Sequence, residues 1–298
     1  MKLFNAQRLQ YMIVYPIIWL FSHLPFFLLH RISDFAFFMI FHVFEYRKGV
    51  VLNNLTLAFP KKSKKEILSI RRHFFRHFTD IFLEMIKSFT ISEKELNRRY
   101  KYTNPEVFKE LEKKGKSVII MGSHYANWEW IVNLCSITKL NCVGVYSQLK
   151  NPYFDKLVRV NRSRFGGSFI KTNKTLKQII TNKQEKTISV YGLLSDQSPA
   201  IQKTHYWSNF LNTKVPIHTG AEMIAKKHDF SVIYMRVNRI KRSYYEVNFE
   251  VLAENPREYS DFEITDQFLK RVEKQIYEKP QYYFWTHKRF KHKDSAPK

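Results

Sequence analysis

The hydrophobic pattern divides the chain into an apolar start and a long mixed remainder. From Leu9 to His30 the sequence LQYMIVYPIIWLFSHLPFFLLH contains no formally charged residue. That is about 22 residues, enough to span a bilayer as a helix. Arg31 and Asp34 interrupt, and the apolar stretch FAFFMIFHVF follows. Pro16 and Pro25 argue against one straight helix, though a kinked or re-entrant membrane segment tolerates them. No small-residue cleavage site follows the run, and the run is too long for the core of a signal peptide. Residues 1–45 therefore read as a membrane anchor that spans or dips into the bilayer, with a buried helical hairpin as the alternative.

Beyond the anchor the period changes. Tyr46–Pro60 reads as a helix stopped near its proline. Lys62–Thr90 places Ile67, Ile70, Phe74, Phe78, Ile81 and Met85 at helical spacing, with Arg71, Arg72 and Arg76 opposite. Glu84 lies within that helix. After Asn104, short strands alternate with helices. SVIIM (Ser117–Met121), NCVGVYS, TISVYGLLS, FSVIYMRV and YYEVNFEVL read as strands. NWEWIVNLCSI, PYFDKLVRVNRSRF, TGAEMIAKKH and TDQFLKRVEKQIYEKP read as helices. Such alternation predicts an α/β fold with a largely parallel central sheet flanked by helices, occupying residues 46–298. No internal repeat or long linker interrupts it, and KHKDSAPK reads as a frayed tail.

Composition narrows the partners. The chain has 50 Lys+Arg against 26 Asp+Glu, a formal net charge of +24, yet 44% of its residues are hydrophobic. A disordered polycation is excluded. The charge calls for nucleic acid, an anionic membrane, or an acidic substrate or carrier. Lys2 and Arg8 precede the apolar run, whereas Arg31, Arg47, Lys48, Lys61, Lys62, Lys64 and Lys65 follow it. The heavier basic side puts the main domain in the cytoplasm. Cys135 and Cys142 suit a reducing compartment.

The chemistry concentrates in SVIIMGSHYANWEW. A strand ends at Gly122, His124 follows at once, and Glu129 comes five residues later. On one continuous helix those two would differ by about 140° in azimuth. A pair that touches needs the histidine on the turn and the glutamate in the helix beyond it. His124 is then a candidate general base and Glu129 the carboxylate that orients it. The spacing is not His-Glu-x-x-His, and no Cys/His cluster has metal spacing, so neither a metal nor another cofactor is expected.

GSHYANWEW resembles the His-Phe-Gly-Asn-Trp-Glu block of the bacterial lipid A biosynthesis (lauroyl/myristoyl) acyltransferases, within the lysophospholipid acyltransferase superfamily. Five further blocks resemble that family in order. They are YRKGVVLNNLTLAFP, VYSQLKNPYFDKLVRVNRSRFGG (Tyr-Arg-x-x-x-Asn-Pro…Arg-x-x-x-Gly), LLSDQSP, FLNTKVPIHTGAEMIAKK and EKPQYYFWTHKRFK. The resemblance runs from about Leu9 to Lys291. Ala126 stands where the family has Gly, Ser147 where it often has Arg, Leu211-Asn212 where it has Phe-Gly, and His218 is unusual before Thr219-Gly220.

The resemblance implies a glycerolipid-acyltransferase-like fold and transfer of an acyl group from acyl carrier protein to a hydroxyl of a lipid A precursor. It also implies location at the bacterial inner membrane with the catalytic domain on the cytoplasmic face. It makes Arg164, near Gly166-Gly167, the arginine expected to enter the site, for phosphate or a developing oxyanion. Arg159 lies on the same helix. Asn127 and Asn151 are placed to donate amide hydrogen bonds or to cap helices. Asp196 and Gln197 follow a strand end, where open α/β sheets bind ligands, and are candidate substrate contacts. The aromatic and basic run Trp285–Lys291 suits either a membrane interface or a core Trp285 with the rest of the run solvated. Two alternatives stand beside this reading. One is the same chemistry on an aminolipid, glycerophospholipid or pigment precursor. The other is a non-catalytic basic membrane or nucleic-acid-binding protein, although no groove-reading or RNA-binding motif is present.

Overall fold

In a computed structural model, residues 6–296 are described. Lys2 of the charge argument, and Pro297 and Lys298 of the expected tail, lie outside the described residues. In chain order the helical first part comprises α1 (Ala6–His23), α2 (Phe26–Phe38, extended by a π-turn over Met39–Val43), α3 (Lys48–Ala58), α4 (Lys64–Lys87) and α5 (Glu93–Arg99). The sheet-forming part follows with β1 (Tyr100–Tyr102), α6 (Glu106–Lys113), β2 (Val118–Gly122), β3 (Asn141–Tyr146), α7 (Pro152–Arg162), β4 (Ser168–Lys171) and α8 (Thr175–Gln184). It is completed by β5 (Ser189–Leu194), β6 (Trp207–Phe210), β7 (Thr213–Pro216), α9 (Gly220–His228), β8 (Ser231–Lys241), β9 (Tyr244–Ala253) and α10 (Glu263–Glu278). A long 3-10 helix, Trp128–Ser136, links β2 to β3.

The apolar run Leu9–His30 is not one helix. Pro25 lacks the N–H that would continue α1, so the chain breaks there and Pro25 opens α2 instead. Pro16 stays inside α1. Among the described residues, the helical stretch long and apolar enough to cross a membrane, by length and composition, is Phe26–Val43. Both helices rest on the rest of the fold. Tyr11 packs against Tyr153 and, edge-on, Phe154 of α7, Asn151 Nδ2 donates to the Gln7 carbonyl at 2.9 Å, and Lys87 donates to the carbonyls of Ser22 and Leu24. Leu29, Phe37 and Phe41 are buried, whereas Met12, Ile13, Leu20, Phe27 and Phe35 are exposed.

The main sheet has seven strands in the order β1-β9-β8-β2-β5-β3-β4. All neighbours are parallel except the β8–β9 hairpin, as strand–helix alternation predicts. The strands that sequence reading does not isolate are β1, β4, β6 and β7, each only three or four residues long. So short a strand shows no period. From β2 the chain crosses to β3 in one direction, and from β5 it crosses to β8 in the other. Right-handed crossovers then put the connections on opposite faces. The 3-10 helix and α7 cover one face, where Arg162 sits over the Phe169 ring of β4. Helices α8, α9 and α10 cover the other, where Asn182 donates to the Tyr191 hydroxyl and Tyr234 donates to Gln275. The boundary between adjacent β2 and β5 is thus the topological switch point, the place where such sheets open a crevice.

Candidate active site

The crevice begins where β2 ends. Gly122 packs closely there: a Cβ would stand 2.9 Å from Leu194 Cδ2 and 3.0 Å from Met235 Cε, so the ends of those side chains would have to shift. The chain then turns sharply, with Ala126 in the left-handed region at φ 51°. A glycine at this position would carry no Cβ penalty, and alanine accepts a cost of about 1–2 kcal/mol. The turn is pinned to the C-terminal segment, since Ala126 N donates to the Tyr282 carbonyl and Phe284 N donates to the His124 carbonyl. Asn127 is fully buried. Its Oδ1 caps the 3-10 helix at Trp130 N, 3.1 Å away, and its Nδ2 donates to Glu84 Oε2 at 2.6 Å. Ser243 and Tyr245 also donate to that carboxyl, at 2.7 and 2.8 Å. Burial, reinforced by Asp80, pushes Glu84 up to about 7.

His124 Nδ1 lies 2.7 Å from Asp196 Oδ1. Asp196 follows β5, so the two strands that flank the switch point supply one member each. Asp196 is fully buried. Burial alone would raise its carboxyl, but the adjacent His124 charge and hydrogen bond outweigh it and hold the group below the ordinary aspartate range. Trp128 and Phe284 pack around the imidazole, their ring centres 5.2 and 6.0 Å from it. Behind Asp196 stands the Trp285–Phe290 segment. Trp285 and Arg289 are buried, Arg289 donates to Ser198 and to the Pro216 carbonyl, and Asn54 donates to the carbonyls of Trp285 and His287. Trp285, Thr286, Arg289 and Phe290 are thus core, while Lys288 and Lys291 are exposed.

Glu129 faces Arg162, not His124. The guanidinium grips the carboxylate with Nε–Oε2 at 3.0 Å and Nη2–Oε1 at 2.7 Å, the bidentate geometry that arginine favours. The expected orienting contact from Glu129 is therefore made by Asp196. The 3-10 helix starts only at Trp128 and turns Glu129 toward α7, while the β5 end delivers Asp196 to the imidazole.

A cavity of about 910 Å³ opens at these strand ends, lined by His124, Glu129, Arg162, Gln197, His218 and a largely apolar wall. That volume lies in the range of small-molecule and lipid pockets. Among the described residues, no three His, Cys, Asp or Glu side chains are grouped as metal ligands.

The sequence profile of the bacterial lipid A biosynthesis acyltransferases matches residues 3–292. The chain belongs to that family. It is also 21% identical, over 281 residues, to the lipid A biosynthesis lauroyltransferase of Escherichia coli (strain K12), a match that covers 92% of this chain and 89% of that protein.

Within this acyltransferase the cavity gathers His124, Glu129 and Gln197, with Asp196 directly behind His124. Four of the expected residues lie elsewhere. Asn127 is behind the turn that carries His124. Asn151 caps α7 by accepting from Tyr153 N and Phe154 N. Arg159 is exposed on α7. Arg164 does not enter the cavity, because α7 has ended and its guanidinium turns back to the carbonyls of Ser88 and Ile91. Arg162 takes the expected place. The signal was present in the Arg-x-x-x-Gly block, whose spacing fits Arg162 and Gly166. His218 and Lys227 also line the cavity; both fall within the FLNTKVPIHTGAEMIAKK block, in which only His218 stood out.

Proposed function

We propose that this acyltransferase is a membrane-bound O-acyltransferase. It moves a fatty acyl group from an acyl carrier protein thioester to a hydroxyl of a lipid A precursor. The observation that carries this reading is the His124–Asp196 pair at the mouth of a large apolar cavity. His124 Nε2 removes the proton from the acceptor hydroxyl as that oxygen attacks the thioester carbonyl. Asp196 accepts from Nδ1–H, fixes the tautomer and stabilises the imidazolium as it forms. The tetrahedral intermediate collapses with cleavage of the C–S bond, and His124 returns the proton to the leaving thiolate. Glu129 holds Arg162 over the cavity, where the guanidinium stabilises the oxyanion or an acceptor phosphate.

Residues 1–45 form the membrane-facing part and residues 46–298 the catalytic domain, on the cytoplasmic face of the inner membrane. The exposed apolar side chains of α1 and α2 support this placement, as does the candidate span Phe26–Val43. The +24 charge suits an anionic bilayer, a phosphorylated acceptor and an acidic carrier protein together. The test is transfer by purified His124→Ala, using acyl carrier protein thioester and lipid A precursor. Loss of roughly 10²–10⁴-fold in kcat is expected from removal of a general base. A normal rate in a folded variant would sink the mechanism.

A further inference from the structure

His218 and His124 line one cavity, although they come from segments far apart in the chain. The course of the chain explains the meeting. Strand β8 runs parallel to β2, with Ser231 beside Val118 at the starts of both. Helix α9 comes just before β8 and packs on β2. Its 9 residues rise about 13.5 Å. That is close to the roughly 16 Å of the 5-residue β2, so α9 starts at the sheet edge where β2 finishes. Thr219 is the N-cap of α9, and His218 stands just before it.

Arg289 fixes this position from behind. Its Nη1 donates to Ser198 Oγ at 3.0 Å and to the Pro216 carbonyl at 3.2 Å. One buried guanidinium thus ties the loop that carries Asp196 to the segment that carries His218. The end of β5 is held to β2 in turn, since Ser195 N donates to the Gly122 carbonyl at 3.0 Å. His218 is exposed, and the space it faces is the cavity. Among the described residues its ring makes no hydrogen bond. The protein around the cavity displaces water from the ring and lowers its pKa below the ordinary histidine value. Arg289 adds to the effect, Asp196 opposes it, and His124 adds a little more. The ring is therefore neutral near pH 7, with an N–H that the protein leaves unspent.

We propose that His218 is a further catalytic residue, which donates its N–H to the thioester carbonyl oxygen and holds the oxyanion of the tetrahedral intermediate. This rests on the acyl-transfer reading above. As the acceptor oxygen bonds to the thioester carbon, the carbonyl electron pair moves onto its oxygen, where the His218 N–H meets it. The acceptor proton goes to His124, and then to the thiolate released when the C–S bond breaks. His218 keeps its own proton throughout. A neutral donor suits this place. His124 turns cationic in the transition state, and a second cation beside it would work against that change. A neutral imidazole does not. Arg162, already paired with Glu129, is then left for an anionic group of the acceptor.

Two variants test this, with folding checked by circular dichroism. His218→Phe keeps a ring and removes the N–H. His218→Gln keeps an N–H on a side chain that does not titrate. With acyl carrier protein thioester and lipid A precursor, His218→Phe should lower kcat roughly 10²–10³-fold with little change in acceptor KM. His218→Gln should keep about a tenth or more of the wild-type kcat. A donor whose carbonyl oxygen is replaced by sulfur, a poor acceptor, should shrink the gap between wild type and His218→Phe. Three outcomes in folded variants overturn the assignment: a wild-type kcat in His218→Phe, an equal loss in both variants, or an undiminished gap with the sulfur donor. A rise in acceptor KM in place of the fall in kcat overturns it too, and makes His218 a binding residue. All of these leave acyl transfer standing, because the wild type still transfers. A wild type that transfers no acyl group overturns the acyl-transfer reading itself, and this assignment with it.

Discussion

His124 and Asp196 are 72 residues apart in the chain and 2.7 Å apart in space. Each stands two residues past the end of its own strand. Asp196→Asn keeps the shape and removes the charge that stabilises the imidazolium. Transfer kcat should fall by roughly 10²–10⁴-fold with acceptor binding largely kept, which single-turnover kinetics beside precursor binding will check. Arg162 and Arg164 make a second residue-scale point. Two positions apart at a helix end, one guanidinium faces the cavity and the other turns to the backbone of the α4–α5 connection. Composition alone does not separate them.

At the scale of elements, the turn that carries His124 is held from behind by α4. Glu84 receives hydrogen bonds from Asn127, Ser243 and Tyr245, and Trp130 Nε1 donates to its carbonyl. The 3-10 helix, α4 and β9 are thereby joined at one carboxyl. Burial raises that carboxyl to about 7, whereas in the unfolded chain it releases its proton near ~4.3. Between those values the folded state holds the extra proton, so this group's contribution to stability falls as pH rises and levels off above about 7. Thermal unfolding should show a slope of up to about 1.4 kcal/mol per pH unit across roughly pH 5 to 7 that Glu84→Gln lacks. Identical pH slopes in the two proteins would show that the proton is not held.

At the scale of the molecule, apolar and basic surfaces combine. Leu20 and Phe35 are 63% and 65% exposed on α1 and α2, while Leu29, Phe37 and Phe41 of the same segment sit in the core. Deleting residues 1–45 would therefore open the fold, and substitution of the exposed side chains is the cleaner probe. Burying a Leu or Phe is worth about 1.5–3 kcal/mol. The double variant Leu20→Asp/Phe35→Asp should thus bind anionic vesicles more than tenfold more weakly, as sedimentation will measure. Raising the salt to about 1 M should weaken the wild type as well, since the Debye length shrinks to about 3 Å. Equal binding of the double variant and the wild type would remove these helices from the membrane contact.

The sequence by itself determined what local pattern controls. Alternating strands and helices set the α/β class, and the blocks around His124 and Asp196 marked the candidate site. It left open whatever depends on contacts between distant segments. Which carboxylate meets His124 depends on the order in which β2 and β5 lie in the sheet. Which arginine enters the cavity depends on the residue where α7 ends. Whether Trp285–Lys291 lies at a membrane or in the core depends on the Asn54 and Arg289 contacts. The position of the crevice follows from crossovers that leave the switch point on opposite faces, a property of the whole sheet that no single strand encodes.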